Sequence, residues 1–393
     1  MKTIARTAAA LAAAALVSVA APAASADDLV APGVGYRTFT VSTAHGPVTA
    51  YLVTVDLRTA RLDLLHPADV AEREGVAEMA TAQHAVAGTN GDFFNISETH
   101  AGVPATGSSV GPEIAGGQDL KFAVPDGQRF GPAMPPGATT KIVFGLGEDQ
   151  RARVSSVDLH GAVVSSKGTF ELEGLNQYAI PVGGIGEYTH DWGEVSRARA
   201  ACGTDTNRSA GCTTQVEEVV VRHGVVTSES ETLGAGPIPE GTVVLVGREQ
   251  GADELERLAP GDHVVVGGRL SARNVPPFEF AVGGFPILSG GQPVPGLDAA
   301  TLAPRTAAGA SADGRTAYLL TVDGRSAASS GMSVAELADL LHSAGAAVGV
   351  NLDGGGSTTM AVGGHGQAAT VRNIPSDGTE RAVANGIGVF SAR

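Results

Sequence analysis

The stretch G-V-N-L-D-G-G-G-S-T-T-M, residues 349–360, places a carboxylate, three glycines and three hydroxyl groups in direct succession. An apolar run ends at Asp353, and glycines 354–356 follow. Because glycine adopts positive φ and carries no side chain, the N–H groups of such a loop can converge on an anion or an oxygen-rich ligand. The pattern predicts a ligand-binding loop beside a reactive carboxylate, and a glycine-rich turn without a ligand is the alternative.

A second Asp-Gly pair follows a predicted strand upstream. The strand is T-A-Y-L-L-T-V, residues 316–322, and it ends in D-G-R, which contains Asp323 and Arg325. Between the two Asp-Gly pairs, Ser333 and Glu336 form a capping box that predicts a helix. The spacing predicts a β-α-β unit with parallel strands, which would bring both aspartates and the arginine to one sheet edge. Ligand sites of open sheets form at such edges.

Residues 1–26 have the pattern of a secretory signal peptide: two basic residues, an alanine-rich apolar run and A-S-A at 24–26. No later stretch approaches the roughly 20 apolar residues that a bilayer requires. The sequence therefore predicts a secreted protein with no integral membrane segment after signal cleavage; a retained signal anchor is the alternative. The net charge of −15 argues against nucleic acid as a partner.

The composition, with 54 glycines and few aromatic residues, indicates many turns and short strands. We predict an α+β fold, with a mixed β-sheet core, packed helices and an inserted β-rich subdomain. The predicted divisions are a signal peptide at 1–26, an N-terminal part of a catalytic domain at 27–139, the inserted subdomain at 140–275 and a C-terminal part of the catalytic domain at 276–393.

The chain has two cysteines, Cys202 and Cys212. In an exported protein, so close a pair predicts a disulfide that closes a short loop. Two cysteines alone lack the further ligands of a structural zinc site. We expect no metal and no cofactor.

Six motifs occur in a fixed order: G-T-N-G-D-F-F-N, P-R-T-A, T-V-D-G-R, S-G-M-S-V-A-E-L, N-L-D-G-G-G-S-T-T-M and R-N-I-P-S-D-G-T-E-R-A-V-A-N-G-I. Together they resemble the phosphodiester glycosidase family over residues 88–390, weakly in the middle and strongly towards the C-terminal end. The resemblance implies hydrolysis of the bond between the anomeric carbon of a sugar and a phosphate.

The residues in these motifs suit that chemistry. Carboxylates stabilise the oxocarbenium-like transition state of glycoside hydrolysis, and usually two take part. We expect Asp353 beneath the anomeric carbon, with Asp92 or Glu380 as its partner and Asp323 as a further candidate. Guanidinium groups can hold the phosphate with two parallel hydrogen bonds, and Arg325 with Arg372 are the first candidates. The candidate substrate-binding residues are Asn90, Arg305, Arg325, Gly354, Gly355, Gly356, Ser357, Arg372, Arg381 and Asn385.

Structural roles are the alternatives for several of these residues. Glu336 is predicted to act only in the capping box. Asp323 could cap a turn, and Arg381 could pair with Glu380.

The sequence predicts a secreted hydrolase that cleaves the sugar–phosphate bond of glycosyl-1-phosphodiesters in cell-envelope or extracellular glycans. One alternative is a non-catalytic protein that binds envelope glycopolymers. Another is a metal-dependent phosphodiesterase that cuts the other ester bond. The products distinguish them, because a binder releases nothing and such a phosphodiesterase releases a sugar phosphate.

Overall fold

The computed structural model describes residues 27–391, so the predicted signal peptide lies outside the described residues. This part of the chain contains three α-helices: α1 (Val76–Ala82), α2 (Gln250–Leu255) and α3 (Val334–Ser343). It also contains 25 strands: β1 (Asp28–Ala31), β2 (Val34–Thr43), β3 (Gly46–Asp56), β4 (Ala60–Leu65), β5 (Ala87–Asn90), β6 (Glu113–Ala115), β7 (Gln118–Lys121), β8 (Ile142–Gly147), β9 (Ala152–Ser165), β10 (Gly168–Glu171), β11 (Gly174–Leu175), β12 (Ile185–Tyr188), β13 (Val216–Arg222), β14 (Val225–Ser230), β15 (Thr242–Arg248), β16 (Val264–Ala272), β17 (Phe278–Gly283), β18 (Phe285–Ser289), β19 (Gln292–Pro293), β20 (Arg305–Ala310), β21 (Thr316–Val322), β22 (Val348–Asn351), β23 (Met360–Val362), β24 (Thr370–Val371) and β25 (Gly386–Ser391).

The predicted α+β class is wrong: the described chain is a β-rich fold of several sheets. Its three α-helices contain 7, 6 and 10 residues, too few to form a helical layer over a sheet. The physical reason lies in the frequent glycines and turns, which break the chain into short alternating runs that pair as strands. Of the three α-helices in residues 27–391, α3 is the one with a side-chain cap and an apolar face.

The sheet that carries the glycine loop has eight strands in the order β1-β2-β3-β21-β20-β22-β18-β19. Strands β21 and β22 run parallel to each other, as the β-α-β prediction requires, because each pairs antiparallel with β20. They are not neighbours, since β20 lies between them. Their carboxyl ends still reach the same edge, which brings Asp323 and Asp353 to one side of the sheet.

A second sheet, in the order β24-β23-β5-β25-β4, packs beside this edge. It combines strands from both ends of the described chain, as the first sheet does. Strand β5 lies between β23 and β25, and it ends at Asn90. The end of β5 and the end of β22 therefore meet where the two sheets adjoin.

The α3 helix begins with the predicted capping box. The Ser333 hydroxyl accepts a hydrogen bond from the backbone N–H of Glu336, and the Glu336 side chain accepts one from the N–H of Ser333. These bonds satisfy N–H groups that have no partner within the helix. The helix buries Val334, Leu337 and Leu341 against the core. The predicted capping-box contact of Glu336 is present, but it is not the only one, since the other carboxylate oxygen lies 2.8 Å from His45 Nε2.

The remaining strands form two further sheets. One combines β6, β7 and β17 with β8, β9, β10 and β16, and the other has the order β11-β12-β15-β13-β14. The second of these lies wholly within residues 140–275, whereas the first also uses strands outside that range. The division at 140 and 275 stays a prediction. No helix in residues 27–391 is long and apolar enough to cross a membrane.

Candidate active site

The backbone of Asp353 is held from both sheets. Its N–H donates to the carbonyl of Gly91 at 2.9 Å, and its carbonyl accepts a 2.7 Å hydrogen bond from the Asn90 side-chain amide. The side-chain oxygen of Asn90 accepts from the Thr306 hydroxyl at 2.8 Å and from the Thr359 N–H at 3.0 Å. The Asn90 side chain is fully buried and holds the backbone of Asp353, and its contact with substrate stays a prediction.

The Asp353 carboxylate is partly buried and lies in a mixed electrostatic environment. Its Oδ1 accepts a 2.9 Å hydrogen bond from the Gly354 N–H. Burial raises the pKa of Asp353 to about 6, although Ser357, Gly354 and the charge of Arg381 act in the opposite direction. The nearby charge of Asp92 raises it further. At neutral pH the carboxylate is mostly ionised.

Each glycine of the loop is required by a close approach or by its backbone angle. A side chain at Gly354 would place Cβ 2.7 Å from the Pro304 carbonyl oxygen. Gly355 has φ +63° and donates its N–H to that same oxygen at 2.9 Å. A Cβ at Gly356 would lie 2.1 Å from the Arg381 guanidinium. Two loop N–H groups expected to face a ligand, those of Gly354 and Gly355, are thus used within the protein.

Two of the predicted arginines lie over the loop. Arg381 donates to the Ser357 hydroxyl at 3.3 Å and forms an ion pair with Asp377, rather than with Glu380. Arg325 is exposed, has φ +58° and places its guanidinium nitrogens 3.1 and 3.2 Å from the position of a Cβ on Gly355. Within residues 27–391 we find no hydrogen bond made by the Arg325 guanidinium. Its donors are available to a ligand.

The other two predicted arginines bind backbone carbonyls. Arg305 is buried and donates to Met332 at 3.0 Å and to Thr301 at 2.6 Å. Arg372 is exposed and donates to the carbonyl of Val362 at 3.0 Å. The Arg305 side chain runs beside Gly354, whereas no contact links Arg372 to the glycine loop among the described residues.

Asp92 is buried beside Asp353. Its two carboxylate oxygens accept from the N–H groups of Phe93 at 2.8 Å and Gly111 at 2.6 Å. Burial raises the pKa of Asp92 to about 6, against the effect of these bonds and of Lys121. The adjoining cavity of about 10 Å³ has room for roughly one water molecule.

Asn385 holds Asp92 directly, and Glu113 and Lys121 support the residues that bond to it. The side-chain oxygen of Asn385 accepts the Asp92 N–H at 2.9 Å, and the side-chain amide of Asn385 donates to Glu113 at 2.7 Å. The buried Lys121 ammonium donates to the Gly111 carbonyl at 3.0 Å, and burial lowers the pKa of Lys121 to about 8. Glu113 and Lys121 belong to no recognisable motif, so no signal in the sequence pointed to them.

The remaining two carboxylates proposed for catalysis hold backbone segments. Glu380 accepts the N–H of Ala77 at 3.0 Å, in the first turn of α1. Asp323 accepts the Tyr51 hydroxyl at 2.8 Å and the Ile374 N–H at 3.0 Å. These bonds join Asp323 to β3 and to the segment at residue 374, and neither is a contact within its own turn. Asp353 is left as the carboxylate with access to the loop.

Arg129 is a further charged group at this site. Its guanidinium lies 5.2 Å from the Phe93 ring centroid and 5.8 Å from that of Phe285, and it lines the cavity beside Asp92. Burial lowers its pKa, while the charge of Asp92 opposes that effect. Arg129 lies outside the six motifs, so no pattern in the sequence pointed to it.

The disulfide between Cys202 and Cys212 is present, which confirms the prediction. Within residues 27–391, one group of three potential metal donors was found, His100 with these two cysteines. Because the sulfurs are joined to each other, they lack the thiolate charge that binds metal ions.

Comparisons with known proteins agree with the motifs. Residues 215–390 match the model of the family described as phosphodiester glycosidase, which confirms the resemblance. A search of curated proteins returned no significant match. A hypothetical protein from Synechocystis has a similar structure, with a TM-score of 0.70 and 21% identity; the match covers 92% of this chain and 62% of that one.

Two further solved structures are similar to the chain. A candidate exported protein from Burkholderia pseudomallei K96243 has a TM-score of 0.65 and 25% identity, with 88% of this chain and 74% of that chain covered. The catalytic domain of zebrafish N-acetylglucosamine-1-phosphodiester alpha-N-acetylglucosaminidase, auto-inhibited by its pro-peptide, has a TM-score of 0.45 and 15% identity over 94% of this chain and 87% of that one.

Proposed function

We propose, from the phosphodiester glycosidase domain that residues 215–390 carry, that this protein is a hydrolase that cleaves the bond between an anomeric carbon and phosphate in glycosyl-1-phosphodiesters. The observation that carries the proposal is the arrangement at the glycine loop. There an ionisable carboxylate, Asp353, lies beside Arg381, and the free guanidinium of Arg325 lies above the same loop.

In this proposal Asp353 stabilises the positive charge that develops at the anomeric carbon. A carboxylate suits this task because the transition state resembles an oxocarbenium ion. Its pKa of about 6 leaves it mostly charged at neutral pH. The hydrogen bonds of its backbone to Gly91 and Asn90 fix its position before substrate binds, so little reorganisation is needed during the reaction.

The arginines act on the leaving group. A phosphodiester substrate expels a phosphate monoester, whose second pKa is about 6 by analogy with phosphoserine. Such a group leaves without a proton at neutral pH, whereas an alkoxide requires an acid. Arg325 and Arg381 are placed to stabilise the charge that accumulates on phosphate. A leaving group of this kind needs no general acid, which is consistent with the engagement of Asp92 and Glu380 in hydrogen bonds to backbone N–H groups.

We further propose that the protein acts outside the cytoplasm, on glycans of the cell envelope or the extracellular space. Three features support this location: the signal-peptide pattern at residues 1–26, the disulfide and the fold shared with a candidate exported protein.

The test compares matched substrates. Purified protein is assayed on a panel of sugar-1-phosphodiesters and on alkyl glycosides of the same sugars, and the released products are identified. We expect free sugar from the phosphodiesters and a far higher kcat/KM than on the alkyl glycosides. Comparable rates would refute the phosphate leaving group and favour an ordinary glycosidase.

The same assay separates the other two functions. A sugar phosphate among the products would identify a phosphodiesterase that cuts the other ester bond. A rise in melting temperature with ligand, without release of sugar, would identify a binding protein. Asp353→Asn is the control variant in this assay, because it keeps the shape of the side chain and removes its charge.

A further inference from the structure

The loop that the disulfide closes contacts the segment that carries Arg129. We define the disulfide loop as residues 203–211, between the two bonded cysteines. The Gly127 N–H donates to the Asp205 carbonyl at 2.8 Å, and the Gln128 amide donates to Thr204 at 2.6 Å. A Cβ on Gly127 would lie 2.3 Å from Cα of Thr206, so the two backbones are in direct contact.

Arg208, in the middle of the disulfide loop, makes the most direct contact. Its Nη1 donates to the carbonyl of Arg129 at 2.8 Å, and its guanidinium lies 3.9 Å from the centroid of the Phe130 ring. A planar guanidinium held by a ring face and by a carbonyl has one defined orientation. The backbone at Arg129 is therefore fixed by a residue of the disulfide loop.

The Arg129 guanidinium lies against two aromatic rings and makes few hydrogen bonds within the described part of the chain. Phe93 and Phe285 stack with their planes 9° apart, and the guanidinium lies near both rings. Stacking uses the face of the guanidinium and leaves its N–H edge for hydrogen bonds. Among residues 27–391 we find one hydrogen bond made by this edge, to the carbonyl of Pro132. The group is electrostatically coupled to Asp92, which in turn is coupled to Asp353.

We propose that Arg129 binds the anionic part of the substrate and that the disulfide loop, through Arg208, holds it in position. The proposal rests on the proposed function, since it names a binding residue for the phosphodiester. Arg208 is a positioning residue in this account, because it contacts Arg129 and not the ligand. The disulfide is then part of the substrate-binding structure.

The test is a double-mutant cycle on the full-length protein. Arg129→Gln is expected to raise KM for a sugar-1-phosphodiester by about 10- to 100-fold, the range for a lost charge-assisted hydrogen bond. Arg208→Gln is expected to raise KM by a smaller factor and to change kcat little. In the Arg129→Gln background, Arg208→Gln is expected to have no further effect.

Controls separate positioning from general stability. Arg222→Gln makes the same charge change at an exposed site on β13 and is expected to match the parent protein. Arg208→Lys keeps a donor for the Arg129 carbonyl and is expected to recover part of the loss. Replacing both disulfide cysteines with serine is expected to raise KM as Arg208→Gln does. The proposal is overturned if Arg208→Gln has the KM of the parent. It is also overturned if Arg208→Gln raises KM by the same factor in the parent and in Arg129→Gln.

A second measurement does not depend on turnover. If the parent hydrolyses no sugar-1-phosphodiester, the proposed function fails. The positioning of Arg129 by the disulfide loop is then tested by two other measurements, amide hydrogen exchange and the affinity for inorganic phosphate. Loss of the disulfide is expected to speed exchange of the Gly127 amide, which the loop protects, and to weaken binding of inorganic phosphate as Arg129→Gln does. Unchanged exchange or unchanged phosphate affinity overturns it.

Discussion

Replacing Gly356 with alanine provides a sharp test of the glycine loop, because the structure predicts different effects on folding and on activity. The new Cβ would lie 2.0 Å from an Asp377 oxygen and 2.1 Å from the Arg381 guanidinium. Ordinary contact begins at about 3.4 Å, so the Asp377 oxygen must withdraw by about 1.4 Å and the Arg381 guanidinium by about 1.3 Å. They are the ends of flexible, partly exposed side chains. The two side chains must therefore move, whereas the backbone of the glycine loop can keep its conformation.

The expected magnitudes follow from this geometry. Gly356 is not among the described glycines with positive φ, so alanine is compatible with its backbone and stabilises by about 0.4 to 1 kcal/mol through the unfolded state. Loss of the partly exposed pair of Asp377 and Arg381 costs about 0 to 1 kcal/mol. These two contributions to the free energy of unfolding nearly cancel. A misplacement of about 1 Å at a catalytic group costs on the order of 100-fold in rate.

The assay is kcat/KM on a sugar-1-phosphodiester, with thermal unfolding measured on the same preparation. We expect Gly356→Ala to lose about 100-fold in kcat/KM with a melting temperature close to that of the parent. Gly267→Ala is the matched control, because it lies in β16 with no atom within 4 Å of its new Cβ. Full activity in Gly356→Ala would refute the role assigned to the Arg381 position.

Three further predictions concern the carboxylate, the exposed arginine and the disulfide. Asp353→Asn is expected to cut turnover by about 100-fold or more while the protein stays folded. Because the pKa of Asp353 is raised to about 6 in the folded protein, the parent loses stability as pH rises through 6. Asp353→Asn is therefore expected to have a higher melting temperature than the parent at pH 8. This difference in melting temperature is expected to disappear below pH 4. Arg325→Lys is expected to impair phosphodiester turnover much more than thermal stability, since lysine lacks the planar donor pair, and matching kinetics would place phosphate recognition elsewhere. Reduction of the bond between Cys202 and Cys212 is expected to lower the free energy of unfolding by about 2 to 3 kcal/mol in denaturant titrations, and titration of two free thiols in the native protein would contradict the bond.

Local signals in the sequence predicted local structure well. Ser333 and Glu336 form the capping box because the pattern depends on residues three positions apart. The strand before Asp323 and the strand before Asp353 are both present and reach one edge. What local patterns do not contain is strand order, so the insertion of β20 between these strands was not foreseen.

The roles of polar side chains were harder to predict for a related reason. Glu380 and Arg372 stand in dense motifs, yet each is bonded to a backbone group that lies far away in the sequence or on a neighbouring strand. Arg129 and Lys121 reach the site from segments with no motif at all. Such roles depend on which backbone N–H and carbonyl groups lack partners after folding, which spacing along the chain does not reveal.

The side chain of Asn90 has a consequence for how the protein opens. It bonds to Thr306 in the eight-stranded sheet, to Thr359 next to β23 in the other, and to the backbone of Asp353 between them. Local fraying at Asp353 thus requires the two sheets to separate, which ties the site to the most cooperative unit of the molecule. We expect the amide of Asp353 to exchange only through global unfolding, at the rate of the slowest core amides.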